Sequence, residues 1–122
     1  MNEIFSFENL VVYQRSLDFV EHVYLLLQKF PKEEVYSLGN QIRRASVSVP
    51  SNIAEGMSRF SDKEKIHFIE ISYSSLMETY CQFNIAKRLN YISEEDLMAI
   101  IEEIKNIARP LSGLRKSLNP NP

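Results

Sequence analysis

Leu97, Ile100, Ile104, Ile107, Leu111, Leu114 and Leu118 recur at alternating intervals of three and four. On a helix that spacing lays down one continuous apolar stripe, and a stripe this long demands other helices to cover it. Ser93 stands ahead of it as a cap, and Glu94, Glu95 and Asp96 complement the positive end of the helix dipole. The same alternation occurs at Leu10, Tyr13, Leu17, Val20, Tyr24 and Leu27, closed by Pro31. It occurs again at Ile66, Ile69, Tyr73, Leu76, Tyr80 and Phe83, opened by a Ser61/Glu64 capping box and ended near Asn90. With three glycines and five prolines the chain lacks the turns of a β-sandwich, so helices are the default.

The stretch GNQIRRASVSVPSNIAEG, residues 39 to 56, is the least regular piece. Its Val-Ser-Val alternation admits a short edge strand. A helix explains more: Ile42, Ala45, Val49 and Ile53 then share one face, and Gln41, Arg44, Ser48, Asn52 and Glu55 share another. Pro50, lacking an N–H, is expected to bend this helix and to free the carbonyl of Ser46 for Ser48 or Ser51, and Gly56 is expected to stop it. Ala45, Ser46, Ser48, Ser51 and Ala54 allow another helix to approach closely. The expected helices cover about residues 8–29, 35–56, 62–89 and 94–118 of a single domain, 1–122. Short connections make neighbours antiparallel, giving an all-α, up-down-up-down four-helix bundle.

Catalytic and metal chemistry find little support. Glu64 and His67 have the Glu-x-x-His spacing of a di-iron bundle, but His22 has Phe19 where the second carboxylate belongs. Cys81 lies in the apolar run Met77 to Ile85 and reads as a buried thiol, and no base is placed beside it. Gly39, Gly56 and Gly113 are isolated and form no phosphate-cradling loop. No enzyme activity, cofactor or metal is expected. The N-terminus lacks a basic region followed by an apolar stretch, and Val23 to Leu27, the longest apolar run, is too short for a bilayer. The expectation is a cytoplasmic protein with no membrane partner.

Fourteen Lys and Arg against sixteen Asp and Glu leave a net charge of -2, so nucleic-acid binding would need a local patch. Arg43, Arg44 and Arg59 are the candidates, because a guanidinium grips phosphate bidentately. Lys63 and Lys65 alternate with Asp62 and Glu64 and read as a solvated helix start. Gln41, Arg44, Ser48, Asn52 and Glu55 alternatively form a packing or subunit interface, with Arg44 able to pair with Glu55. Tyr13, Tyr24, Tyr73 and Tyr80 read as core or subunit-interface residues rather than base-stacking platforms. Phe5 and Phe7 read as covering one end of the bundle.

Phe7 and Leu10, Phe30-Pro31, Gln41 to Ala45 and Asn52 to Gly56 stand in an order that resembles the 23S rRNA-intervening-sequence proteins. FIEISYSSLMET and LSGLRKSL resemble that family's third-helix and C-terminal patterns, so the likeness spans nearly the whole chain. Ser72 and Ser74 depart from the family's usual Ala and Gly, and Pro110 is expected to interrupt the last helix. The resemblance implies a bacterial four-helix bundle of largely unassigned role. The family is similar to the accessory variability determinant of diversity-generating retroelements, a pentamer that binds nucleic acid and a reverse transcriptase. By that analogy this chain is expected to form a homo-oligomer, a pentamer, with RNA or DNA or a protein as partner. The polar stripe of residues 41–55 would then be chiefly architectural, and a scaffold with no nucleic-acid affinity is the competing reading.

Overall fold

The computed structural model of the chain describes residues 4–121; Met1 to Glu3, which belong to the N-terminus read above, and Pro122 lie outside the described residues. Among the described residues every element is helical. A 3-10 turn, Ser6–Asn9, leads into α1 (Val11–Leu27), then come the single turn α2 (Lys32–Val35), α3 (Leu38–Met57), α4 (Asp62–Arg88) and α5 (Glu94–Ser117). α1 packs on α3, α3 on α4, α4 on α5 and α5 back on α1, the neighbour cycle of an antiparallel four-helix bundle.

Local chemistry sets the helix ends. Ser93 and Asp96 form a complete capping box, with the Asp96 N–H donating to Ser93 Oγ at 3.0 Å and the Ser93 N–H donating to Asp96 Oδ2 at 3.2 Å. At Ser61 the hydroxyl accepts from the Glu64 N–H at 3.2 Å. α4 ends in a Schellman motif: Asn90 sits at φ 62°, its N–H donates to Lys87 O at 3.0 Å and that of Tyr91 to Ala86 O at 2.9 Å.

The core is filled by Phe19, Val23, Ile42, Val49, Ile53, Ile69, Leu76, Phe83, Ile100, Ile107 and Leu111, all 0–1% exposed. Burial of each contributes roughly 1.5–3 kcal/mol. The α5 stripe is buried from Leu97 to Leu111, as expected, and Ile42, Ala45, Val49 and Ile53 face inward. α1 is rotated from the expected face. Its core side is Val12, Ser16, Phe19, Val23, Leu26 and Leu27, while Leu17 and Tyr24 are exposed. Both stripes are apolar at helical spacing, and the one carrying Phe19 wins the interior. On α4, Ser72 and Thr79 are buried and Tyr73 and Tyr80 are 38% exposed, so these two tyrosines are not core residues. Cys81 is also exposed, against the expectation of a buried thiol. Phe7 packs edge-on against Tyr13 at 5.0 Å, whereas Phe5 is exposed.

α3 and α4 form the most extensive contact, and small residues make it possible. Gly56 does not end α3, which continues to Met57. A Cβ there would lie 2.6 Å from Phe68 Cβ, so glycine admits α4. Polar bonds run up the same seam. The Ser72 hydroxyl donates to Val49 O at 2.8 Å, the Ser48 and Ser75 hydroxyls share a bond of 2.9 Å, and Asn52 Nδ2 donates to Ser48 O and Oγ at 2.8 Å each. Ser48 is thus committed to α4 and Ser51 lies exposed; neither takes the expected role at the Ser46 carbonyl.

α5 passes through Pro110 without interruption. A proline at that position frees the carbonyl four residues earlier, that of Asn106. Arg15 Nη1 on α1 donates to that oxygen at 2.8 Å. The neighbouring helix thereby supplies the missing donor.

Candidate functional site

The three candidate arginines have different fates. Arg43 is half-buried, and its Nη2 donates to Val35 O at 2.9 Å and Asn40 Oδ1 at 2.7 Å, clasping α2 to α3. Arg59 Nη2 donates to Glu55 Oε1 at 3.1 Å, and its guanidinium carbon sits 4.7 Å from the Phe68 ring centroid. Glu55 therefore serves Arg59 and not Arg44. Arg44 is exposed and has no hydrogen-bond or ionic partner among the described residues. The polar stripe also divides: Ser48 and Asn52 lie in the α3–α4 seam, whereas Gln41, Arg44 and Glu55 are exposed.

Arg44 stands at one end of a surface groove between α1 and α3. Tyr24, Asn40, Arg43, Val47, Ser48 and Ser51 line that end with it. The groove continues past Val47 and Ser51 into a stretch lined by Tyr13, Leu17, Val20, Pro50 and Ala54, with the exposed carboxylate of Glu21 on its α1 rim. Its apolar walls meet water: Leu17 is 38%, Val47 39% and Tyr24 45% exposed. The α1 side of the groove is the stripe that sequence periodicity assigns to the core.

A second charged surface escaped sequence reasoning. Lys105, Arg109 and Lys116 are exposed on α5 and without partners among the described residues. At 100° per residue they fall within roughly 40° of arc. The sequence from Ile104 onward contains no Asp or Glu, which was the available signal; attention to adjacent arginines missed cations spaced four and seven apart. Arg115, on a different flank, donates through Nε to Glu70 Oε2 at 3.0 Å.

The seam between α1 and α5 carries polar links at heptad spacing. Arg15, His22 and Lys29 of α1 meet the Asn106 carbonyl, Glu103 and Asp96 of α5. The hydrogen bond from Lys29 holds the Asp96 carboxyl below its usual range, against the opposing effect of burial, with Ser93 adding to the lowering. At the same end of the bundle the Tyr91 hydroxyl donates to Glu34 Oε1 at 3.1 Å, tying α2 to the α4–α5 connection. Hydrogen bonds from Ser37 and then Tyr91 lower the Glu34 pKa; burial, then Glu34, raises that of Tyr91.

His67 is exposed and lies edge-on to Phe68 at 5.5 Å, away from the His22–Glu103 pair across the bundle. Among the described residues no three His, Cys, Asp or Glu side chains converge in a metal-ligating group, and no helix is long and apolar enough to cross a membrane.

Residues 8–113 match the family model described as 23S rRNA-intervening sequence protein. Among solved structures, a protein of unknown function from the S23 ribosomal protein family of Bacteroides thetaiotaomicron VPI-5482 superposes with a TM-score of 0.78 at 24% identity, over 87% of this chain and 99% of that one. That likeness establishes a shared fold. No curated protein matches.

Proposed function

This chain belongs to the 23S rRNA-intervening sequence protein family, and on that premise we propose that it is a non-catalytic, cytoplasmic bundle that works as a self-associated scaffold. One observation carries the reading. α1 is apolar on two faces, and the bundle covers only the face containing Phe19 and Val23, leaving Leu17 and Tyr24 in the groove with Val47. A soluble helix apolar on two sides has a second partner to find. A second copy of the chain is that partner, and the family resemblance makes a closed ring of five the expected assembly. Light scattering on the eluting protein, with native mass spectrometry, measures the mass: a discrete oligomer supports the scaffold, and a monomer at all concentrations overturns it.

A second reading is favoured by the unpartnered Lys105, Arg109 and Lys116. Repeated around an assembly, three cations per copy give avidity for a phosphodiester backbone that one copy lacks. Arg44 adds to this reading if it stays exposed in the assembly, while Arg43 and Arg59 are engaged within the chain. Fluorescence anisotropy with structured RNA, single-stranded RNA and duplex DNA across salt concentrations tests it. Salt-sensitive binding lost in K105E/R109E/K116E supports nucleic-acid contact. No binding to any of the three at low salt leaves a scaffold for a protein partner.

A further inference from the structure

The exposed side of α4 carries a second strip. Ile71, Ser74, Glu78, Cys81 and Ile85 are all exposed and follow one another at intervals of three and four, so they form a single ridge on the side of α4 away from the core. Ile71 is 36% and Ile85 43% exposed. The ridge spans about 21 Å and the groove residues Tyr13 to Tyr24 about 16 Å, at 1.5 Å per residue. One surface is convex, the other concave, and they lie on different helices.

Their heights along the bundle coincide. Ser48 faces Ser75 across the α3–α4 seam, so Arg44, one turn earlier in α3, is level with Glu78 and Thr79, about one turn later in α4. On the other wall, His22 faces Glu103, and Lys87 faces Glu94. Glu103 is nine residues beyond Glu94 in α5, and nine residues back from Lys87 in the antiparallel α4 is Glu78. The Arg44 end of the groove and the centre of the ridge therefore share one level.

Charge agrees with this register. Among the described residues Arg44, at the groove, has no partner, and Glu78, at the middle of the ridge, accepts only from the neighbouring Gln82 amide at 3.1 Å. We propose that the α4 ridge of one copy seats in the α1–α3 groove of the next, with no shift along the bundle axis, and that Arg44 pairs with Glu78 across the junction. The contact joins two different surfaces, so it is heterologous, and with no rise along the axis it builds a ring where the rotation per copy divides a full turn. It rests on the self-association proposed above and names the surfaces that carry it.

The test uses L17E for the groove and I85E for the ridge, both at exposed positions, with helix content checked by circular dichroism. Each variant alone is expected to be monomeric. Mixed in equal amounts they are expected to form a dimer and nothing larger, because only one junction per pair has both surfaces intact. R44E and E78R are each expected to weaken assembly, and R44E/E78R to restore it, which also covers the case of an L17E or I85E chain that does not fold. Cys81, on the ridge, is expected to react slowly with a thiol reagent in the assembled wild type and rapidly in L17E. A monomeric wild type overturns self-association itself. An oligomeric wild type that is unchanged by I85E, or whose charge reversals are not mutually corrective, leaves self-association standing and overturns this junction.

Discussion

Arg15 looks in sequence like an ordinary solvated cation near the start of a helix, yet its tertiary role is to complete the backbone bonding of another helix. Pro110 removes the donor that Asn106 O would have had, and Arg15 replaces it at 2.8 Å. Arg15→Ala is expected to destabilise the fold by about 1 kcal/mol in urea unfolding. In a Pro110→Ala background, where the helix regains its own N–H, the same substitution should cost markedly less, and a double-mutant cycle reads the difference. Equal costs in both backgrounds would show that the arginine does not serve the freed carbonyl. Gly56 makes the opposite point, since an apparent helix stop is a close approach. Gly56→Ala forces a methyl against Phe68 Cβ, to which it would lie at 2.6 Å, and is expected to lower stability by about 1–3 kcal/mol despite the better helix propensity of alanine. A stabilised variant in thermal unfolding would refute that reading.

The elements themselves were largely legible, because capping and periodicity are local properties. The Ser93 cap, the Asn90 terminus and the α5 stripe follow from residues adjacent in sequence, and all three stand in the structure. Which stripe of α1 faces inward was not legible. Leu10, Tyr13, Leu17, Val20 and Tyr24 satisfy the same spacing as the true core residues, and the choice depends on what α3 and α5 present. The α5 start also predicts a pH dependence. Asp96 has its pKa lowered in the folded state, chiefly by Lys29, so the stability it contributes is present above the unfolded carboxylate value and lost as pH falls through the folded one. The urea midpoint of the wild type should therefore fall more steeply on acidification below about pH 4 than that of Asp96→Asn. Glu34, shifted in the same direction, keeps some slope in both proteins. Parallel profiles would remove Asp96 from the account.

At the scale of the whole molecule, a net charge of -2 conceals an uneven distribution. The C-terminal part of α5 is basic and free of acids, while acidic residues cluster at its start and on α2. If that surface meets a phosphodiester backbone, each cation contributes through counterion release. Arg109→Ala should then weaken binding to all sequences alike and reduce the slope of log affinity against log salt by about 1 for each copy engaged. An unchanged slope would place the contact elsewhere.

The four long helices and their antiparallel order were legible in the sequence alone, since caps and heptad spacing act through the nearest turns of chain, whereas the single turn α2 and the passage of α3 through Gly56 and of α5 through Pro110 were not. The tertiary structure decided everything that depends on competition between equivalent local solutions. It set the inward face of α1, exposed Cys81, Tyr73 and Tyr80, divided the arginine pair into a clasp and an unpartnered cation, and used Arg15 to let Pro110 stay within a helix. Those choices depend on which side chains other helices bring to the same place. Residues far apart in the chain settle them together, and no single stretch of sequence holds that information.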